Sequence, residues 1–160
     1  MPSFKTTRQV PYTPEQMFDL VADVESYPEF LPLCTGMRVL RRTTTEEGNE
    51  VIVAEMSVGY KAIRERFTSR ASLDRPNLQI LVGYINGPFR HLENRWLFSP
   101  DAAGGTTISF FISYEFRSRA LALLVGAVFE RAFRKFTDAF EARAATVYGR
   151  GAKLAPGPTS

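Results

Sequence analysis

The sequence predicts an α+β fold: a curved antiparallel sheet of about seven strands around a long C-terminal helix, with two short helices after the first strand. Three observations predict it. From Thr107 to Phe116 the residues alternate, so Ile108, Phe110, Ile112, Tyr114 and Phe116 share one face while Thr107, Ser109, Ser113 and Glu115 fall on the other. Beyond that strand, Phe129, Phe133, Phe136 and Phe140 recur at the four-three-four spacing of one helical face. Between Met37 and Phe116, apolar runs separated by short turn signals have the spacing of a meander of hairpins.

The elements follow in order. Phe4 to Val10 reads as the first strand. Thr13 is placed as the N-cap of a helix with Pro14 at its first position, Glu15 and Gln16 in its first turn and Met17, Leu20 and Val21 on its apolar face. A second short helical stretch from Val24 to Phe30 stops at Leu31-Pro32, because the residue before a proline is pushed out of the helical region. Strands are expected near Met37 to Thr43, Glu50 to Tyr60, Ile63 to Asp74, Leu78 to Ile85, Phe89 to Ser99 and Thr106 to Phe116. Turns at Glu46-Glu47-Gly48-Asn49, Arg75-Pro76-Asn77, Asn86-Gly87-Pro88 and residues 100–105 join them. The final helix runs from Ser118 to Tyr148, making residues 1–148 one domain, and Gly149 to Ser160, rich in Gly and Pro, reads as a mobile tail.

A chain of 160 residues can bury about 70% of the surface that its unfolded form exposes, so no disulfide or metal is needed to hold it. No apolar run reaches the length of a membrane span, and Met1-Pro2-Ser3-Phe4-Lys5 leads straight into a strand pattern. Neither a secretory signal nor a transit peptide is therefore expected, and the reading is a cytoplasmic protein. The single cysteine, Cys34, forbids an internal disulfide and reads as a packed small residue. A net charge of +3 favours anionic surfaces such as lipid headgroups or RNA.

Strand, two short helices, six strands and a long helix is the order of the helix-grip fold. Three segments carry a closer resemblance: Ser26-Tyr27-Pro28-Glu29-Phe30-Leu31-Pro32-Leu33-Cys34, Asn86-Gly87-Pro88-Phe89-Arg90-His91-Leu92-Glu93-Asn94-Arg95-Trp96-Leu97-Phe98, and Tyr114-Glu115-Phe116-Arg117-Ser118. With Ala139-Phe140-Glu141-Ala142-Arg143-Ala144, they resemble the signature segments of the coenzyme Q-binding proteins, a family of the START-like, polyketide-cyclase-like superfamily. The resemblance covers Phe4 to Tyr148. It implies ubiquinone or a similar polyprenyl lipid as ligand, no catalytic residues and no cofactor, and a role in delivering the lipid for respiration and quinone biosynthesis. The respiratory or biosynthetic proteins that would exchange it are not specified. Bacterial members are also known as ribosome-association toxins, so a ribosome is a further expected partner.

The inward aromatics either fill a core or line a pocket. Trp96 shares a face with Leu92, Asn94 and Phe98, and Phe67, Phe110 and Tyr114 point into the same space. Thirteen Phe, six Tyr and one Trp are more aromatic bulk than a helix and one sheet easily interlock, which favours a cavity. The expected ligand wall is therefore Phe67, Leu92, Asn94, Trp96, Phe110, Tyr114, Phe129, Phe133 and Phe136, with Asn94 and Tyr114 as donors to a quinone carbonyl. Glu65 shares parity with Ile63 and Phe67, so it either reaches a headgroup, pairs with a neighbouring arginine, or turns outward at a bulge. It is also the one acid available to an aromatase- or cyclase-type enzyme.

Residues 120–129 carry no charge, and Leu123, Leu124 and Ala127 fall on the helix side that later holds Glu130, Arg131 and Arg134. A helix packed on a sheet has one free side, so Leu121, Leu123 and Leu124, with Leu31, Pro32 and Leu33, are expected to form a cavity mouth, a self-association surface or a patch in peripheral contact with the inner face of the cell membrane. His91, the one histidine, faces away from the concave wall, and with no second histidine no metal site is expected. Asn86-Gly87-Pro88 is a tight connection without the extended glycine pattern of a phosphate loop.

Overall fold

The computed structural model describes residues 3–149. In chain order these form β1 (Ser3–Val10), α1 (Pro14–Ala22), a 3₁₀ helix (Val24–Glu29), β2 (Cys34–Thr44), β3 (Glu50–Tyr60), β4 (Ile63–Asp74), β5 (Gln79–Asn86), β6 (Phe89–Pro100), β7 (Thr106–Phe116), α2 (Arg119–Arg134) and α3 (Phe136–Tyr148). The strands make one antiparallel sheet in the order β1-β7-β6-β5-β4-β3-β2, so every neighbour but the β1–β7 pair is consecutive in the chain. Gly149 caps α3, and the rest of the expected tail lies outside the described residues.

Local chemistry fixes the ends of these elements. Thr13 and Gln16 form a reciprocal capping box, with the Thr13 hydroxyl accepting from the Gln16 amide and the Gln16 side chain accepting from the Thr13 amide. The second short helix is 3₁₀ rather than α. It contains Pro28, which has no N–H to donate, and it closes with Phe30 N–H bonded to the Tyr27 carbonyl. Gly87 takes φ 146°, and a Cβ there would stand 2.4 Å from Phe67 Cβ and 2.9 Å from its Cα, so the β5–β6 turn admits only glycine against the backbone of β4.

The expected single C-terminal helix is two helices. Lys135 leaves the helical region at φ −100°, ψ 2°, and its N–H bonds the Ala132 carbonyl three residues back. The buried positions of α3, Thr137, Phe140 and Ala144, would drift around the axis relative to Val125, Phe129 and Ala132 if the helix ran on unbroken. The break re-aims α3 so that both halves keep a buried face. The end of α3 is tied to the start of α1 by the Tyr148 hydroxyl, which donates to the Gln16 carbonyl at 2.8 Å.

The core lies between the concave face of the sheet and the helices. Phe18, Phe89, Phe98, Phe110 and Phe140 are all buried there. Trp96 stands at its centre, edge-on to Phe110 at 4.7 Å and to Phe140 at 5.1 Å. Most of these aromatic contacts are edge-to-face, the arrangement that the ring quadrupoles favour.

Candidate ligand cavity

The sheet and helices do not close completely, and a cavity of about 90 Å³ remains between them. Strands β2 to β7 supply one wall, the 3₁₀ helix and the 31–33 segment a second, and α2 and α3 the third. Of the expected ligand wall, Phe67, Leu92, Asn94, Trp96, Phe129, Phe133 and Phe136 line it. Leu31, Pro32 and Leu33 line it as well, Leu31 fully buried and the other two half-buried.

Three expected wall residues do not line the cavity. Phe110 is buried but is enclosed by Trp96, Phe4 and Phe136, so it fills core space behind the wall. Tyr114 is buried, edge-on to Phe133 at 4.9 Å and to Phe116 at 5.8 Å. Burial and the Glu130 charge raise its pKa, and Arg134 opposes them. Glu65 occupies a surface groove with Thr35, Ser57, Arg64 and Arg66. The first half of β4 carries no fully buried residue, so its carboxylate stays in reach of solvent and escapes the burial cost.

The leucines of α2 divide. Leu121 packs against the core, whereas Leu123 and Leu124 are 88% and 66% exposed on the opposite side of the helix, away from the cavity.

Sequence parity missed the contributions of the 3₁₀ helix and of the strands β2 and β3. Tyr27, Met37 and Met56 line the cavity, as do Ser69 of β4 and Phe140, the last residue of the phenylalanine stripe. Met56 and Phe67 were readable, since they are direct cross-strand partners on one face; Tyr27 was not, because a short 3₁₀ segment has no periodicity from which to read a face.

The polar groups of the cavity are few and already engaged. Asn94 donates to the Phe111 carbonyl at 2.9 Å and accepts from the Trp96 indole N–H at 2.9 Å, which locks the indole against the sheet. The Tyr27 hydroxyl donates to the Val21 carbonyl, and burial raises its pKa. No lining residue is a carboxylate, lysine, arginine or histidine. Cys34 is buried nearby with its thiol directed at the Gly36 carbonyl, and burial pushes its pKa up to about 11, so it is not a thiolate at neutral pH. Among the described residues no group of His, Cys, Asp and Glu stands at metal-binding distance, and no helix is long and apolar enough to cross a membrane. Such a site is suited to enclosing an apolar molecule and holds no acid–base pair for turning one over.

Known proteins share both the sequence and the fold. A family described as polyketide cyclase / dehydrase and lipid transport matches residues 10–141. The ribosome association toxin RatA of Escherichia coli (strain K12) is 38% identical over 148 residues, covering 92% of this chain and 90% of the relative. The mitochondrial coenzyme Q-binding protein COQ10 homolog B of Xenopus laevis is 34% identical over 151 residues, covering 92% of this chain and 59% of the relative. The solution structure of the 18 kDa protein CC1736 from Caulobacter crescentus superposes with a TM-score of 0.74 at 37% identity, over 93% of this chain and 99% of that one. The crystal structure of the Zhui aromatase/cyclase from Streptomyces sp. R1128 superposes with a TM-score of 0.75 at 17% identity, over 96% and 99%, a likeness of fold alone. With a cavity lined almost wholly by apolar side chains and a family match spanning most of its length, this chain belongs to the polyketide cyclase / dehydrase and lipid transport family, with the START-like fold.

Proposed function

We propose that the protein binds ubiquinone or a related polyprenyl lipid in this cavity and acts as a non-enzymatic carrier that supports respiration and quinone biosynthesis. One observation carries the reading: the wall is aromatic and aliphatic on every side, and Ser69, Asn94 and Tyr27 are its polar side chains. Apolar burial contributes about 25 cal/mol for each square ångström removed from water, so an isoprenoid tail gains affinity by area alone. Asn94 retains a second amide N–H, a single donor of the kind that a quinone carbonyl accepts. The coenzyme Q-binding name of one relative supports the same ligand class. An aromatase-type reaction finds less support, because Glu65, the acid it would use, stands in a groove outside the cavity.

The cavity volume of about 90 Å³ is well below the roughly 300–1,000 Å³ usual for ligand pockets. A polyprenyl ligand therefore enters only if the walls part. The test is mass spectrometry of an organic extract of gently purified protein, compared with Ala132→Phe, which fills the cavity from α2. Near-stoichiometric prenylquinone in the wild type and its loss in the variant are expected. A wild type that yields no prenylquinone, and whose Trp96 fluorescence is not quenched on adding ubiquinone, overturns the reading.

A second reading, association with ribosomes, is favoured by the name shared by several relatives. It predicts co-sedimentation with ribosomes that weakens when surface arginines are neutralised; co-sedimentation insensitive to those charges counts against it.

A further inference from the structure

The antiparallel ladder brings four separate stretches to one end of the sheet. Tyr60 pairs with Ile63, Phe89 with Phe116 and Cys34 with Val58, so the β3–β4 turn, the β5–β6 turn, the 31–33 segment and the start of α2 all meet there. The first two turns of α2 present Ala120, Leu123, Leu124 and Ala127 to solvent, and Glu130 is the first exposed charge on that face after Arg119. Single exposed leucines are ordinary on a protein surface; two adjacent ones on a helix face without charge are not.

The charges at this end have an equally specific arrangement. Lys61, Arg64, Arg66, Arg90, Arg117 and Arg119 are all exposed there, and none forms an ion pair among the described residues. Arg64 and Arg117 hydrogen-bond only to backbone carbonyls, which leaves their charge uncompensated. Glu65 and Glu115 are the carboxylates at this end, and His91 is its one histidine. At the opposite end most arginines are paired: Arg8 with Asp138 and Glu141, Arg42 with Glu25 and Glu50, and Arg75 with Asp19, while Arg41 forms no ion pair among the described residues. The two ends of the molecule thus differ in free positive charge.

We propose that this end docks on an anionic lipid bilayer, with Leu123 and Leu124 inserted at the boundary between headgroups and acyl chains while the unpaired cations meet the lipid phosphates. Adjacent apolar side chains flanked by basic residues match that interface, where both apolar area and charge contribute. An RNA surface would use the same cations but gives two aliphatic leucines nothing to enter. Phe129, further along α2 and on its buried side, is part of the cavity wall, so the same helix carries the docking leucines on one face and a cavity residue on the other.

The test is vesicle flotation with lipids free of quinone, so that its outcome is independent of the carrier reading. The wild type is expected to float with a three-to-one mixture of phosphatidylcholine and phosphatidylglycerol and to stay down with phosphatidylcholine alone. Leu123→Ser combined with Leu124→Ser, both outside the core, lowers partitioning about tenfold at unchanged melting temperature, and Arg90→Glu combined with Arg119→Glu lowers it comparably. Leu81→Ser with Leu97→Ser, exposed leucines on the outer face of the sheet, leaves it unchanged. No flotation on anionic vesicles, an equal loss in the Leu81/Leu97 control, or a Leu123/Leu124 variant that floats like wild type each overturns the proposal; in the last case competition by added RNA identifies a surface that reads charge alone.

Discussion

Asn94 shows how one polar residue serves an apolar wall. Its amide joins the β7 backbone at Phe111 to the indole of Trp96, using the oxygen and one of its two N–H groups. Asn94→Leu would keep the volume and leave the indole N–H and the carbonyl of Phe111 without that partner. The expected cost is about 1–3 kcal/mol, measured by urea unfolding and accompanied by a changed Trp96 emission. Alternation alone placed Asn94, Trp96 and Leu92 on the concave face. It did not show that the Asn94 amide is engaged within the sheet, because hydrogen-bond direction depends on side-chain rotamers that a period-two pattern does not contain. The same limit applies to Tyr114 and Glu65. Both have inward parity, yet Tyr114 is packed against Phe116 and Phe133 and does not line the cavity, and Glu65 lies beyond the stretch of β4 that is buried.

The elements were more legible than the side chains. Strands β3, β4 and β7 begin and end where alternation and turn residues put them, and the N-terminus of α1 was written in Thr13, Pro14 and Gln16. That cap gives a direct check: Thr13→Ala removes the acceptor for the Gln16 amide and is expected to cost about 1 kcal/mol, lowering the melting temperature by roughly 2–4 °C in a scanning calorimeter. The break at Lys135 was not legible, since Ala132 to Phe140 contains neither proline nor glycine and the phenylalanine spacing runs through it. The two halves cover different surfaces: α2 lies on β7 and the cavity, whereas α3, which also reaches the cavity through Phe136 and Phe140, packs on α1 and the 3₁₀ helix.

At the scale of the whole molecule, buried neutral acids set the response to alkali. The Cys34 thiol is raised from the ordinary 9.0 to about 11, and Tyr27, Tyr114 and Tyr148 are raised in the same direction, each chiefly by burial. A group that holds its proton more tightly when folded contributes stability that is complete below its unfolded pKa and lost as the pH rises toward the folded one. The unfolding free energy is therefore expected to be level near neutrality and to fall between about pH 9 and 11, with a shallower fall in Cys34→Ala; denaturant titrations across that range measure it. One last feature concerns the borders of the open sheet. β2 carries register shifts at Cys34/Gly36 and Val39/Arg41 and exposes Arg38, Arg41 and Arg42, while Arg8 of β1, at the other border, is clamped to Asp138 and Glu141 of α3. Irregular backbone and bound or repelling charge are poor templates for a foreign strand. The sheet is thus open at both borders yet resists edge-to-edge polymerisation with other copies of itself.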